Sequence, residues 1–245
     1  MKNILVWLVG LGLGLALSFN CLAQSIDLPP VKAGDTWKYR NTTEKGANGW
    51  TQSYDEIAVY RVTSSSIYFT MKQSGSTQPG KDLIAGADWS RLRDVNGTET
   101  VVGRPLSFPL SPGKTWEVQY TEQHPNKLHK FEKWNTKFTV VGFETVEVPA
   151  GKFKALKIEG EGHWTAELEP TQTVVQGAQS AENNTTMVTQ VQKTSAIPAT
   201  GRTYKAFWYA PEAKRWVKSV EEYYGNGGVR SDRFTTELDS FKLVD

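Results

Sequence analysis

The chain has 245 residues, 22% of them charged and 11% aromatic, and its 28 basic and 26 acidic side chains leave a formal net charge of +2. Both signs are interspersed along its length, which is not the field of a nucleic-acid binder. Its one cysteine, Cys21, lies near the N-terminus, so the rest of the chain offers no disulfide, thiolate metal site or cysteine nucleophile.

Residues 1–23 have the form of a secretory signal peptide, with Lys2, an apolar run from Ile4 to Leu17, and Cys21-Leu22-Ala23 placing small residues at −3 and −1. The run is shorter than the ~20 residues that span a bilayer, and no second one follows. Cleavage is expected near Ala23, giving a periplasmic or secreted protein that starts at Gln24 and has no stable transmembrane anchor. Lipidation at Cys21 is not expected, because Phe19-Asn20 stands where acylation sites take a small residue.

From residue 24 on, the periodicity is that of strands. The stretches 54–62 and 66–71 are rich in β-branched and aromatic residues and are joined through Ser64-Ser65, which predicts a hairpin. Further strands are predicted over 35–41, 99–103, 114–121, 131–148, 152–168, 185–194, 202–210, 214–224 and 229–238. Asn96-Gly97, Ser111-Pro112-Gly113, Pro149-Ala150-Gly151 and Gly225-Asn226-Gly227-Gly228 punctuate them. No amphipathic helix of ordinary length is present, so the expectation is one all-β domain over 24–245, an antiparallel curved sheet, half barrel or sandwich. Every tryptophan but Trp7, all nine tyrosines and every phenylalanine but Phe19 lie in this part, enough to fill a core without covalent links.

Gly34-Asp35-Thr36-Trp37 returns as Gly113-Lys114-Thr115-Trp116, each time after a proline-bearing loop. A turn glycine that feeds a strand, with Thr and Trp on opposite faces, lets each tryptophan plug part of a shared core. A duplication and convergent strand-opening chemistry both fit so short a match, so the chain is kept as one domain, with 104–112 as the place where a seam would fall. Residues 170–201 are Gln-, Thr-, Ser-, Asn- and Ala-rich without an aromatic, and read as a polar hairpin or surface loop.

Positive signs of catalysis are few. His124 and His129 are five apart around Pro125, which puts them on no common ligating face, so no metal site and no cofactor are expected. Nucleophile-elbow and phosphate-loop patterns are absent. In the 152–168 strand a period of two places Glu159, Glu161 and His163 on one face and Ile158 and Trp164 on the other. That trio is the candidate acid and base of a hydrolase-like alternative; the solvated face of a sheet with one wet side is the favoured explanation. Gly160 and Gly162 would let a ligand or a second backbone come close.

The run Val146-Glu147-Val148-Pro149-Ala150-Gly151-Lys152-Phe153-Lys154-Ala155-Leu156, the later Phe207-Trp208-Tyr209-Ala210-Pro211-Glu212, and Gly34-Asp35-Thr36-Trp37 together resemble a pattern in exported bacterial β-proteins of unknown function. In architecture alone the pattern is similar to periplasmic carriers that bend an antiparallel sheet into a half barrel around acyl chains. The resemblance implies a scaffold and brings no catalytic residue. It favours a non-enzymatic envelope protein that binds a lipid or other amphipathic ligand, or docks on an envelope protein. The candidate ligand-binding residues are Trp164, Trp208, Tyr209 and Trp216, with Lys or Arg at the rim for an acidic head group. A structural or secretion-accessory subunit is a further alternative.

Overall fold

A computed structural model describes residues 25–46, 49–169, 172–181, 184–193 and 198–245, and for 172–193 the description is of the backbone alone. The expected signal peptide over 1–23, the expected cleavage point and Cys21 lie outside these residues.

Fourteen strands account for the fold: β1 (Thr36–Lys45), β2 (Trp50–Val62), β3 (Ser66–Gln73), β4 (Lys81–Gly86), β5 (Arg91–Val95), β6 (Thr98–Gly103), β7 (Thr115–Gln123), β8 (His129–Val148), β9 (Gly151–Leu168), β10 (Gln172–Ala181), β11 (Asn184–Lys193), β12 (Ala199–Ala210), β13 (Arg215–Tyr224) and β14 (Arg230–Lys242). The helical structure among the described residues is one 3₁₀ turn, Pro211–Ala213. Ten strands form one curved antiparallel sheet in the order β4-β3-β2-β1-β14-β13-β12-β9-β8-β7; β5-β6 and β10-β11 are separate two-stranded ribbons. The sheet is an up-and-down meander with the two ends of the domain paired at β1 and β14, and it stays open between β4 and β7. The polar excursion supplies the β10-β11 ribbon.

Two strands escape the sequence reading, β4 and β5, and β10 falls under it only as part of the polar hairpin read over 170–201. β4 opens on Lys81-Asp82 and ends on Ala85-Gly86, a weak strand composition that suits an edge, where charge discourages pairing with another chain. β5 turns into β6 through Asn96 (φ 55°) and Gly97 (φ 80°), the two left-handed residues of a type I′ hairpin.

The inner face is built differently at its two ends. At one end lies a close-packed core, with Trp37, Tyr39, Ile67, Leu156, Ile158, Tyr209, Val217 and Leu238 buried completely or nearly so, and Leu106 and Leu110 entering from the segment that follows β6. Trp89, held at φ 61° in the β4–β5 turn, meets Trp37 and Phe69 edge-on at 5.5 and 5.6 Å. At the other end the inner residues Asn41, Asp55, Thr136, Trp134, Trp164, Lys205, Glu221 and Tyr223 are only half-buried, so the concave face leaves a lumen open to solvent there.

The Gly-x-Thr-Trp echo is repeated in three dimensions. Gly34 N–H donates to the Val59 carbonyl (2.8 Å) and Val59 N–H to the Asp35 carbonyl (3.0 Å); Gly113 and Val140, then Val140 and Lys114, make the same two bonds at 2.8 and 2.9 Å. Each second strand then carries a bulge one residue on, leaving Tyr60 and Val141 exposed at 51% and 53%. The position between glycine and threonine uses opposite charge for one task. Asp35, fully buried, accepts from the N–H groups of Lys32 (2.9 Å) and Val244 (2.7 Å) and pairs with Lys214 (3.1 Å), whereas Lys114 donates to the carbonyls of Ser107 and Pro109.

Candidate functional site

Register and packing build the lumen wall. An aromatic row crosses β7, β8 and β9 on the inner face: Tyr120 stacks on Trp134 (6.2 Å between ring centres, 10° between planes), Trp134 on Trp164 (5.8 Å, 27°), and His129 tilts against Trp164 (6.2 Å). The row ends at Gly201 of β12. A Cβ there would lie 2.4 Å from Trp164 Nε1 and 2.6 Å from the Tyr224 carbonyl, so the missing side chain is what admits the indole. Beyond it Tyr223 and Phe234 meet edge-on at 5.9 Å. Trp134 and Trp164 of the row and the Tyr223–Phe234 pair, with His129, Glu132, Ser231 and Asp232, line a cup of ≈ 500 Å³ at the open end of the lumen.

Polar groups fix the cup. Glu132 accepts from Trp134 Nε1 (2.9 Å) and pairs with His129 Nδ1 (2.5 Å), which orients both rings. Deeper in, Lys205 pairs with Glu221 (2.8 Å) and lies 5.9 Å from the Tyr223 ring centre. Although burial acts against both charges and is the largest effect on each, the pairing wins: Lys205 is held above its ordinary pKa and Glu221 below its own. Across the lumen, on β14, β1 and β2, Thr236 donates to Asn41 (2.9 Å) and Asn41 to Asp55 (2.8 Å), whose carboxyl is pushed up by burial.

The four candidate ligand-binding residues part company. Trp164 lines the cup. Trp208 lies on the outer face between Lys157 and Lys218, whose ammonium groups are 5.5 and 5.8 Å from its ring, and donates to Glu144. Tyr209 is fully buried against Phe108 (5.4 Å), its hydroxyl without a partner and its pKa raised by burial. Trp216 packs edge-on against Phe207 (5.5 Å) and over Arg215 (4.3 Å), and belongs to the core. Sequence reasoning missed Trp134, Tyr223 and Phe234; their strands were legible, but the register that brings them around Gly201 was not.

Glu159, Glu161 and His163 line up along the outer, solvent-facing side of β9. Glu159 is paired with Lys157 (2.8 Å), accepts from Tyr204 (2.8 Å) and is held below the usual carboxylate pKa, chiefly by Lys157; Glu161 and His163 are exposed. Gly160 and Gly162 face inward, where a Cβ would meet Phe138 at the first and Thr203 and Thr136 at the second. His124 and His129 face separate carboxylates, Glu169 (2.9 Å) and Glu132. No group of three or more potential metal ligands occurs among the described residues, and no helix among them is long and apolar enough to cross a membrane.

A larger hollow of ≈ 1080 Å³ runs along the β4 edge, between Ser65, Ile84 and Gly86 on one bank and Leu92, Glu99 and Val101 on the other. Its charges include the pairs Arg104–Asp88 (3.1 Å) and Arg93–Glu122 (2.6 Å), the second made with β7. It is the gap of the open sheet, bridged by the β5-β6 ribbon.

No family model matches the chain and no curated protein is similar to it at a significant level. Among solved structures it is similar to a candidate lipoprotein from Parabacteroides distasonis, with 15% identity and a TM-score of 0.45. It is also similar to a candidate exported protein with YmcC-like fold from Bacteroides fragilis, with 16% identity and a TM-score of 0.37. Each alignment covers 89% of this chain and 100% of the other. Likenesses this loose carry no argument about ligand or activity.

Proposed function

We propose that this chain is an exported, non-enzymatic β-protein that binds one amphipathic ligand in the open half of its lumen. The observation that carries the reading is the cup of Trp134, Trp164, Tyr223 and Phe234, half-exposed aromatics that the curved sheet holds around a space of ≈ 500 Å³. A concave, mostly aromatic space with a few placed polar groups is what a small-ligand site requires. The signal-peptide pattern supports the export. The alternative acid–base set, Glu159, Glu161 and His163, lines an outer hollow of ≈ 610 Å³ with Lys137, Thr139 and Arg202; Glu159 there is tied to Lys157, and the aromatic lining of the cup is what favours ligand binding over catalysis.

Native mass spectrometry of the protein purified from its own envelope tests the reading. The expected result is a bound species of amphipathic mass that is lost from Trp164→Ala and kept by Trp208→Ala. A clean unliganded mass in every preparation, or equal loss from both variants, would count against it.

A further inference from the structure

The cup's lining contains two carboxylates, Glu132 and Asp232, and neither Lys nor Arg. This is the reverse of the basic rim expected from the sequence. Glu132 is committed to His129 and Trp134 Nε1. Asp232, half-buried between Tyr223 and the exposed Lys45 in the sheet register, makes no side-chain ion pair or hydrogen bond among the described residues. The aromatic faces of this protein also take cations: Lys205 sits by Tyr223, and Lys157 and Lys218 by Trp208. Lys205 reaches Tyr223 already paired with Glu221, so it does not oppose a second cation with a full charge; Arg91 of β5 acts on Lys205 and Glu221 from farther off and lies outside the cup. Four aromatic rings with an unpaired carboxylate beside them fit a weakly hydrated organic cation, which gains from the ring quadrupoles without losing strong hydration.

We infer that the cup binds an alkylammonium group, the cationic head of an amphipathic ligand, between Trp134–Trp164 and Tyr223–Phe234, with Asp232 as its counter-charge. This rests on the lumen-binding reading above and adds the charge of the ligand.

Three probes with the same twelve-carbon tail, each below its micelle concentration, separate the two claims: dodecyltrimethylammonium, dodecyl maltoside and laurate. Binding is followed by tryptophan fluorescence and calorimetry on the mature chain. The ammonium probe is expected to bind about tenfold or more tighter than the other two. Asp232→Asn should remove most of that preference and leave maltoside binding unchanged, with circular dichroism showing that the variant is folded. If maltoside or laurate binds as tightly as the ammonium probe, the inference is overturned and the lumen reading stands. If none of the three binds, both fall. Should Asp232→Asn not fold, the ranking of the three probes on the wild-type protein still decides.

Discussion

Arg215 shows how much one residue can ask of its surroundings. It is 7% exposed, its Nε and Nη1 have no hydrogen-bond partner, and its guanidinium lies between the Trp89 and Trp216 rings at 4.2 and 4.3 Å, with Tyr39 at 5.3 Å. Burial lowers its pKa, and cation–π contact with flat rings is what offsets the desolvation. Tyr39 donates to the Trp216 carbonyl at 2.7 Å, and burial pushes its phenol up to about 12, outweighing the opposite pull of Arg215. A phenol whose pKa rises on folding contributes stability that is whole below pH 10 and lost as pH climbs through about 12. By linkage the wild type loses ~1.4 kcal/mol of this by about pH 11. Tyr39→Phe forfeits the hydrogen bond, ~1 kcal/mol at pH 8, yet has no phenol to ionise. Urea unfolding at pH 8 and pH 11 should therefore show the gap between the two proteins closing; a gap that stays constant would refute the account.

At the scale of elements, what the sequence made legible is what depends on local chemistry. Strands appear where β-branched and aromatic residues alternate, and turns where Gly, Pro and Asn allow them, as at Asn96-Gly97. The Gly-x-Thr-Trp echo was readable as four residues, but its meaning required partners 24 and more positions away, Val59 and Val140. The site was less legible for the same reason: Trp164 stood out in sequence, whereas Gly201, which makes room for it, shows its role only once β9 and β12 are in register. Inward glycines are thus packing features of this sheet, and that can be measured. A Cβ on Gly162 would lie 2.5 Å from Thr203 Oγ1, 2.7 Å from Thr136 Oγ1 and 2.9 Å from the Asn135 carbonyl, while one on Gly225 meets nothing within 4 Å. Gly162→Ala should cost ~1–3 kcal/mol in chemical denaturation, since a carbonyl in a ladder cannot step aside. Gly225→Ala should stay within ~0.5 kcal/mol. Equal effects from the two would show that crowding is not the cause.

The whole molecule is a meander that would close into a barrel if β4 met β7, and the β5-β6 ribbon occupies the place where they would meet. That ribbon pairs with neither sheet edge through a backbone ladder. Side chains do the fastening: Arg93 grips Glu122 of β7 with two bonds of 2.6 and 2.8 Å, and Asn96 donates to the Thr121 carbonyl (2.8 Å) while accepting from Gln123 N–H (2.8 Å). Asn96 thus gives β7 one residue's worth of strand pairing from a side chain. The ion pair is partly exposed and so contributes modestly to global stability; it holds the ribbon's outer side to the edge, while Val95 and Val102 are buried beneath it. The double variant Arg93→Ala, Asn96→Ala should accordingly raise hydrogen exchange across 91–103 and along β7, and leave β12 and β13 protected. Its midpoint in urea should shift little, because the core at Trp37, Ile158 and Leu238 does not draw on these bonds. Protection lost evenly over all strands would mean that the ribbon is part of the cooperative core, and the sheet's opening between β4 and β7 would then be closed in energetic terms by more than side chains.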